Sequence, residues 1–102
     1  MEFSVEITKA ALADAEDYVQ FIREDRGDST AADKWWNGLI DQILSLETLP
    51  RRCSIIPEQR YFEQEMRHLI YAPHRIIFSI DKNTVTILRI YHGARKPFNA
   101  IG

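Results

Sequence analysis

Cationic side chains gather at the end of one predicted β-strand. Arg89, His92, Arg95 and Lys96 fall within eight residues, and Arg75 opens the strand that precedes them. A guanidinium group binds phosphate or carboxylate oxygens through two parallel hydrogen bonds. An imidazole, with a reference pKa of about 6.5, gives and takes protons near neutral pH. These residue types therefore predict a site for an anionic ligand at the end of the strand.

Two strands joined by a polar turn position these cations. Ile76, Phe78 and Ile80 alternate with residues of the other parity, which is the period-two signal of a strand. The turn at 81–84 contains Asp and Asn, which tolerate tight backbone geometry. The second strand follows at 85–92. The segment therefore predicts a β-hairpin.

The second strand of this hairpin does not alternate regularly. Val85 and Ile87 have one parity, whereas Leu88 has the other. Either the strand is central and apolar on both faces, or a β-bulge at this point reverses the parity. Both alternatives stay open, and so does the question of whether Arg75 and His92 share a face.

The rest of the chain predicts two further strands and two amphipathic helices. The predicted elements are a strand at 3–7, helices at 10–26 and 30–46, a loop at 50–64 and a strand at 66–71. Short links make the last three strands an antiparallel meander, and each helix has one apolar stripe to bury. The predicted fold class is α+β, in the order β-α-α-β-β-β, with a helical hairpin on one face of a mainly antiparallel four-stranded sheet.

Local signals mark the helix ends. Thr8 is expected to cap the first helix and Gly27 to end it in a left-handed conformation. Asp28, Ser29 and Thr30 are candidate caps for the second helix, and Thr30 with Asp33 resembles a capping box. Gly38, in the middle of that helix, predicts a close approach to the first helix. The expected apolar stripe of the first helix is Leu12, Ala15, Val19 and Ile22, widened by Ala11 and Tyr18.

Length and composition predict one globular domain spanning residues 1–102. Residues 1–50 carry four cations and eleven carboxylates, a net charge of −7, whereas residues 51–102 carry nine cations and four carboxylates, a net charge of +5. This asymmetry indicates either two partners on two surfaces or simply acidic helices beside basic strands. Cys53 is the single cysteine, which suits a reducing cytosol. Without a long apolar run or a signal peptide, we expect a cytoplasmic protein and no membrane partner.

Four segments in order resemble the RelE/ParE superfamily of bacterial toxins. They read L-P-R-R-C-S-I-I-P-E, M-R-H-L-I-Y, H-R-I-I-F-S-I-D and V-T-I-L-R-I-Y-H-G-A-R-K, within a likeness that extends from Phe3 to Pro97. The resemblance implies the toxin of a type II toxin–antitoxin pair. It further implies a cognate antitoxin protein as partner and a toxin–antitoxin hetero-oligomer.

The superfamily implies two activities. RelE-like members cut ribosome-bound mRNA without a metal, and the resemblance then gives Arg75 and Arg95 as phosphate-binding and His92 as the proton carrier. Arg67, Tyr91 and Lys96 would complete substrate binding.

ParE-like members instead poison DNA gyrase. The I-L-R-I-Y-H-G-A-R ending and the net charge of −2 favour this branch, whereas the retention of the three catalytic candidates slightly favours the nuclease. A degenerate toxin that only binds its antitoxin is a third reading.

No metal or other cofactor is expected. The spacings of six and eighteen between His68, His74 and His92 match no ligand pattern.

Overall fold

The computed structural model describes residues 2–93, which form a helical hairpin on one face of a five-stranded sheet. The strands lie in the order β1-β5-β4-β3-β2, with β1 parallel to β5 and the other neighbours antiparallel. The predicted α+β class and helical hairpin are confirmed, but the sheet has five strands instead of four. The elements are β1 (Ser4–Ile7), α1 (Lys9–Gln20), α2 (Ser29–Leu44), β2 (Ser54–Ile55), β3 (Glu65–Tyr71), β4 (His74–Asp81) and β5 (Thr84–His92).

The additional strand, β2, lies in the segment 50–64, which the sequence predicts as a loop. Its two residues pair with His68 and Arg67 of β3. A 3-10 turn precedes it at Pro50–Arg52, and another follows at Gln59–Tyr61. Two residues are too few to show a period of two, so the pattern does not reveal this strand.

The first helix begins and ends near the predicted signals. The Thr8 side chain accepts a hydrogen bond from the Ala11 N–H at 3.1 Å. After α1 the chain continues through one turn of π-helix, Phe21–Asp25, and Gly27 has a φ of 64°. The predicted stripe is wrong at Leu12, which is 38% exposed, whereas Ala11, Ala15 and Ile22 are buried as expected.

Of the three candidate caps of α2, Asp28 is the one that acts. Its carboxylate accepts a hydrogen bond from the Ala31 N–H at 2.9 Å. Asp33 does not act in a capping box but pairs with Arg23 at 2.6 Å. Three polar residues in a row before a helix leave the choice of cap ambiguous.

β5 contains a β-bulge at Leu88. Ile77 of β4 pairs with Arg89, while Phe78 pairs with Ile87, so two steps along β5 correspond to one along β4. The extra residue reverses the alternation between faces. The β-bulge, which the sequence allows as one of two alternatives, is therefore present.

Apolar cores lie on both faces of the sheet, so the strands at its centre are apolar on both sides. The larger core lies against the helices; its buried members are Ala11, Ala15, Leu39, Ile43, Leu46, Cys53, Ile76, Phe78, Ile80, Val85, Ile87 and Ile90. The smaller core, on the other face, consists of Ile56, Met66 and Ile77, with Phe62, Leu88 and Tyr91 packed against it. We call this second face, which the helices do not cover, the open face.

Gly38 in α2 lies against β3 rather than α1. A Cβ at this position would collide with the hydroxyl of Tyr71. That hydroxyl donates a hydrogen bond to the Trp35 carbonyl at 2.9 Å. The predicted close approach at Gly38 is confirmed, but the element that approaches is β3 of the sheet rather than α1, which the sequence predicts.

Candidate functional site

The sheet separates two residues that the sequence predicts to act together. His92 pairs with His74 across β4 and β5, and their ring centroids are 5.1 Å apart. Both rings lie on the helical side, where His74 packs edge-on against Tyr18 of α1 at 4.4 Å. Arg75, one position further along β4, lies on the open face and pairs with Tyr91. Arg75 and His92 are therefore on opposite faces.

Arg75 belongs to a tightly bonded group on the open face. Its guanidinium donates two hydrogen bonds to the Glu58 carboxylate at 3.0 and 2.9 Å, and its Nε donates to Nδ1 of His68 at 3.0 Å. The side chains of Arg75 and Glu58 are only 15% and 6% exposed. We call Glu58, His68 and Arg75 the open-face network. The charges of Arg75 and Glu58 compensate each other, so Arg75 is not an uncompensated cation that could simply bind an anion.

His68 is held neutral in this network. Burial, and then the positive charge of Arg75, keep its pKa below the usual value for histidine. Because Nδ1 accepts the hydrogen bond from Arg75, the proton of the neutral imidazole lies on Nε2. The network thus fixes the tautomer of His68 and makes its Nε2–H a donor.

His92 lies in a cleft of about 430 Å³ between α1 and the end of β5. Carboxylates and aromatic rings surround it, and this chemistry suits a cation better than a phosphate. The lining residues are Asp14, Asp17, Tyr18, Phe21, His74, Ile90 and His92. The surroundings of His92 therefore differ in charge from the predicted anion site.

Arg89, the first cation of the predicted cluster, has a structural contact. Its Nε and one terminal nitrogen donate to the Asp14 carboxylate at 2.7 and 2.9 Å, and the Ile90 N–H donates to the same carboxylate at 3.0 Å. Asp14 thereby satisfies a backbone donor of β5 beyond the end of β1. This interaction fixes α1 to the sheet.

The other predicted binding residues are dispersed. Arg67 donates to Glu65 at 2.7 Å and to the Cys53 carbonyl at 2.6 Å, so it ties β3 to the segment before β2. Arg95 and Lys96 lie outside the described residues 2–93. Tyr91 is the one predicted binding residue that the structure places beside Arg75, whose Cζ is 5.9 Å from the ring centroid.

Two residues of the open-face network were missed by sequence reasoning. Glu58 lies in an irregular segment without a period, 17 residues before its partner Arg75. His68 alternates with Arg67 along β3, but only the partner strand shows which of the two meets Arg75. No local signal in the sequence could have paired them.

Within residues 2–93, no three His, Cys, Asp or Glu side chains gather closely enough to hold a metal ion. Cys53 is buried, and burial raises the pKa of its thiol, which disfavours the reactive thiolate. The described part of the chain also has no helix that could cross a membrane.

Comparison with known proteins identifies the family. The sequence model of the ParE toxin of the type II toxin–antitoxin system parDE matches residues 5–97. This chain belongs to the ParE toxin family. A chain from the solved structure of the chromosomal ParDE TA system from P. aeruginosa superposes on this ParE-family toxin with a TM-score of 0.73. The match has 20% sequence identity and covers 89% of this chain and 96% of that one. No curated protein matches the sequence significantly.

Family membership confirms the expected class of this ParE-family protein. It is a toxin of a type II toxin–antitoxin system, and its expected partner is a cognate antitoxin. At 20% identity the structural match establishes the fold alone. The cellular target has to be argued from the site.

Proposed function

We propose that this ParE-family toxin arrests growth by inhibiting DNA gyrase rather than by cutting ribosome-bound mRNA. The observation that carries the proposal is the separation of Arg75 and His92 by the sheet. Cleavage by attack of a ribose 2′-OH needs a proton carrier and a cation within hydrogen-bond reach of the same phosphate. Side chains on opposite faces do not meet this requirement.

The hydrogen bonds that Arg75 already makes also support gyrase, rather than mRNA, as the target. Its guanidinium already makes two hydrogen bonds to Glu58 and one to His68. To hold a phosphate, it would have to give up its ion pair with a carboxylate whose side chain is 6% exposed, which is costly because a buried charge would lose this cation. The net charge of −2 gives little attraction to the ribosome's RNA.

The test compares two readouts on the same purified toxin. Supercoiling by gyrase should fall, and gyrase-dependent DNA breaks should appear, as toxin is added. Primer extension on transcripts from toxin-expressing bacteria should show no new ends. Cut transcripts together with unaffected supercoiling would overturn the proposal, and normal growth at verified soluble expression would favour the antitoxin-binding module.

One observation favours the nuclease as a second candidate. The open-face network brings together a carboxylate, an imidazole and a guanidinium, and Tyr91, which pairs with Arg75, adds a phenol. Such groups can move protons and stabilise a phosphorane. If transcripts are cut, Glu58→Gln and His68→Ala should abolish cleavage, while His92→Ala on the helical side serves as the matched control.

We place the toxin with its target in the bacterial cytoplasm, in a hetero-oligomer with its antitoxin. The antitoxin is expected to pack an amphipathic segment against the helical pair and the sheet edge. The helical pair carries a groove of about 720 Å³ lined by Glu16, Asp17, Val19, Gln20, Arg23, Glu24, Asp33 and Trp36. Co-purification of the product of an adjacent reading frame, lost on charge reversal at Glu16 and Asp17, would support this arrangement.

A further inference from the structure

We propose that the open face, centred on Tyr61 and Ile70, is the surface through which this toxin binds its target, an acidic and partly apolar protein surface of gyrase. This inference rests on the proposed function and adds the location and chemistry of the contact. It assigns the helical side no part in target binding.

Two exposed apolar side chains belong to residues whose backbones are bonded to or paired with members of the open-face network. Ile70 of β3 pairs directly with Arg75 and is 60% exposed. Tyr61 is 49% exposed, and its N–H donates to the Glu58 carbonyl at 3.0 Å. A large aliphatic and an aromatic side chain beside one ion pair expose apolar area that a partner can bury.

The surface is held in place before any partner arrives. The guanidinium of Arg60 lies 5.0 Å from the ring centroid of Tyr61 and donates to its hydroxyl at 3.0 Å. Across the sheet from Ile70, Arg75 is fixed by hydrogen bonds to Glu58 and His68. A surface whose side chains are already ordered loses less conformational entropy on binding.

The charge of this region fits an acidic partner. Within the patch, Arg60 and Arg75 carry two positive charges against the one negative charge of Glu58. Arg60 forms no ion pair with any carboxylate in the part of the chain that the structure describes. Tyrosine and arginine beside exposed isoleucine is the composition of a protein–protein contact centre.

A nucleic acid fits this surface less well than a protein does. Interfaces with DNA are more polar and much more positively charged than those between proteins. Here the patch exposes two large apolar side chains, Ile70 and Tyr61, and the cation paired with Ile70 across the strands, Arg75, is already neutralised by Glu58. The acidic groove on the helical pair, which includes Glu16 and Asp17, would repel both DNA and an acidic partner.

The experiment measures binding of purified gyrase holoenzyme to immobilised toxin, together with inhibition of supercoiling. Ile70→Asp, Tyr61→Ala and Arg60→Glu change exposed side chains of the patch. Leu44→Asp is the matched control, because Leu44 is 51% exposed on α2. Circular dichroism and thermal unfolding check that each variant is folded. Each patch variant should need at least tenfold more toxin for half-inhibition, and the control should inhibit like the wild type.

The outcomes separate the two proposals. Wild-type toxin that neither binds nor inhibits gyrase overturns the proposed function and this surface assignment together. Inhibition by the wild type that survives in all three folded patch variants, or is lost equally in Leu44→Asp, overturns the surface assignment alone. A toxin that binds a DNA duplex without gyrase, and loses that binding in Arg60→Glu, overturns the choice of a protein partner.

Discussion

The two faces of β4 use neighbouring residues of one strand for different purposes. On the helical side, Ile76 and Phe78 are fully buried in the larger core. On the open face, Arg75 is fixed in an ion pair, and Ile77 belongs to a core with three buried members among residues 2–93. The helical side therefore supplies most of the hydrophobic stabilisation. The open face has room for charged groups and for exposed side chains that contact a partner.

The largest expected effect tests this division of stability at adjacent positions. Phe78→Ala should lower the free energy of unfolding by about 4 kcal/mol, because it leaves a cavity between sheet and helices. Ile77→Ala should cost about 2 kcal/mol, because the segment covering the smaller core has no long helix and can settle into the space. Chemical denaturation measures both free energies of unfolding. A larger loss for Ile77→Ala than for Phe78→Ala would contradict the conclusion that the helical side supplies most of the stability.

The second prediction concerns the ion pair of the open face. Arg75→Ala should destabilise the fold by about 3 kcal/mol, because it removes the cation that compensates the buried Glu58 carboxylate. The double variant Arg75→Met with Glu58→Leu should recover most of that loss, since no buried charge remains. Denaturation of the single and double variants decides the matter; a double variant as unstable as Arg75→Ala would show that the pair is not the cause.

A third prediction tests the contact between α2 and the sheet. Gly38→Ala would raise the stability of an ordinary helix, but here it should lower the free energy of unfolding by about 2 kcal/mol, because the new methyl group meets the hydroxyl of Tyr71. In a Tyr71→Phe background the same change should cost less. Thermal unfolding of the four proteins measures this coupling, and equal costs in both backgrounds would rule out the hydroxyl as the obstacle.

The smallest expected effect is the pH dependence of folding stability that His68 on the open face contributes. Because the folded pKa of His68 is lowered, the unfolded chain binds more protons than the folded one between that pKa and about 6.5. Stability from this residue is therefore complete above pH of about 6.5 and is lost as the pH falls through the folded pKa. His68→Asn, which keeps an acceptor for Arg75, should flatten this part of the profile; an unchanged profile would contradict it.

Much of the fold follows from the sequence because long elements repeat a signal. Period-two strands and amphipathic helices, with Thr8 and Gly27 at the ends of the first helix region, predict the helical hairpin and the meander. β2 is too short to carry such a signal. The face on which His92 lies depends on the bulge, and the apolar residues around Leu88 fit two arrangements equally well.

The site was less predictable than the fold for a related reason. Cationic residues can be read from the sequence, but their partners cannot when they come from irregular or distant segments. Glu58 is 17 residues from Arg75, and Asp14 is 75 residues from Arg89. Only tertiary packing shows that these arginines are already paired.

The single additional residue at Leu88 has a consequence for how this hairpin can vary. If β5 kept every residue but paired regularly, each residue beyond Ile87 would slip by one position along β4 and change face, so that Tyr91 would lie toward the helices and oppose His74. Deleting Leu88 would instead restore a regular ladder, in which Tyr91 still opposes Arg75 and His92 still opposes His74. One extra residue therefore decides which side chains reach each face at the open end of the hairpin.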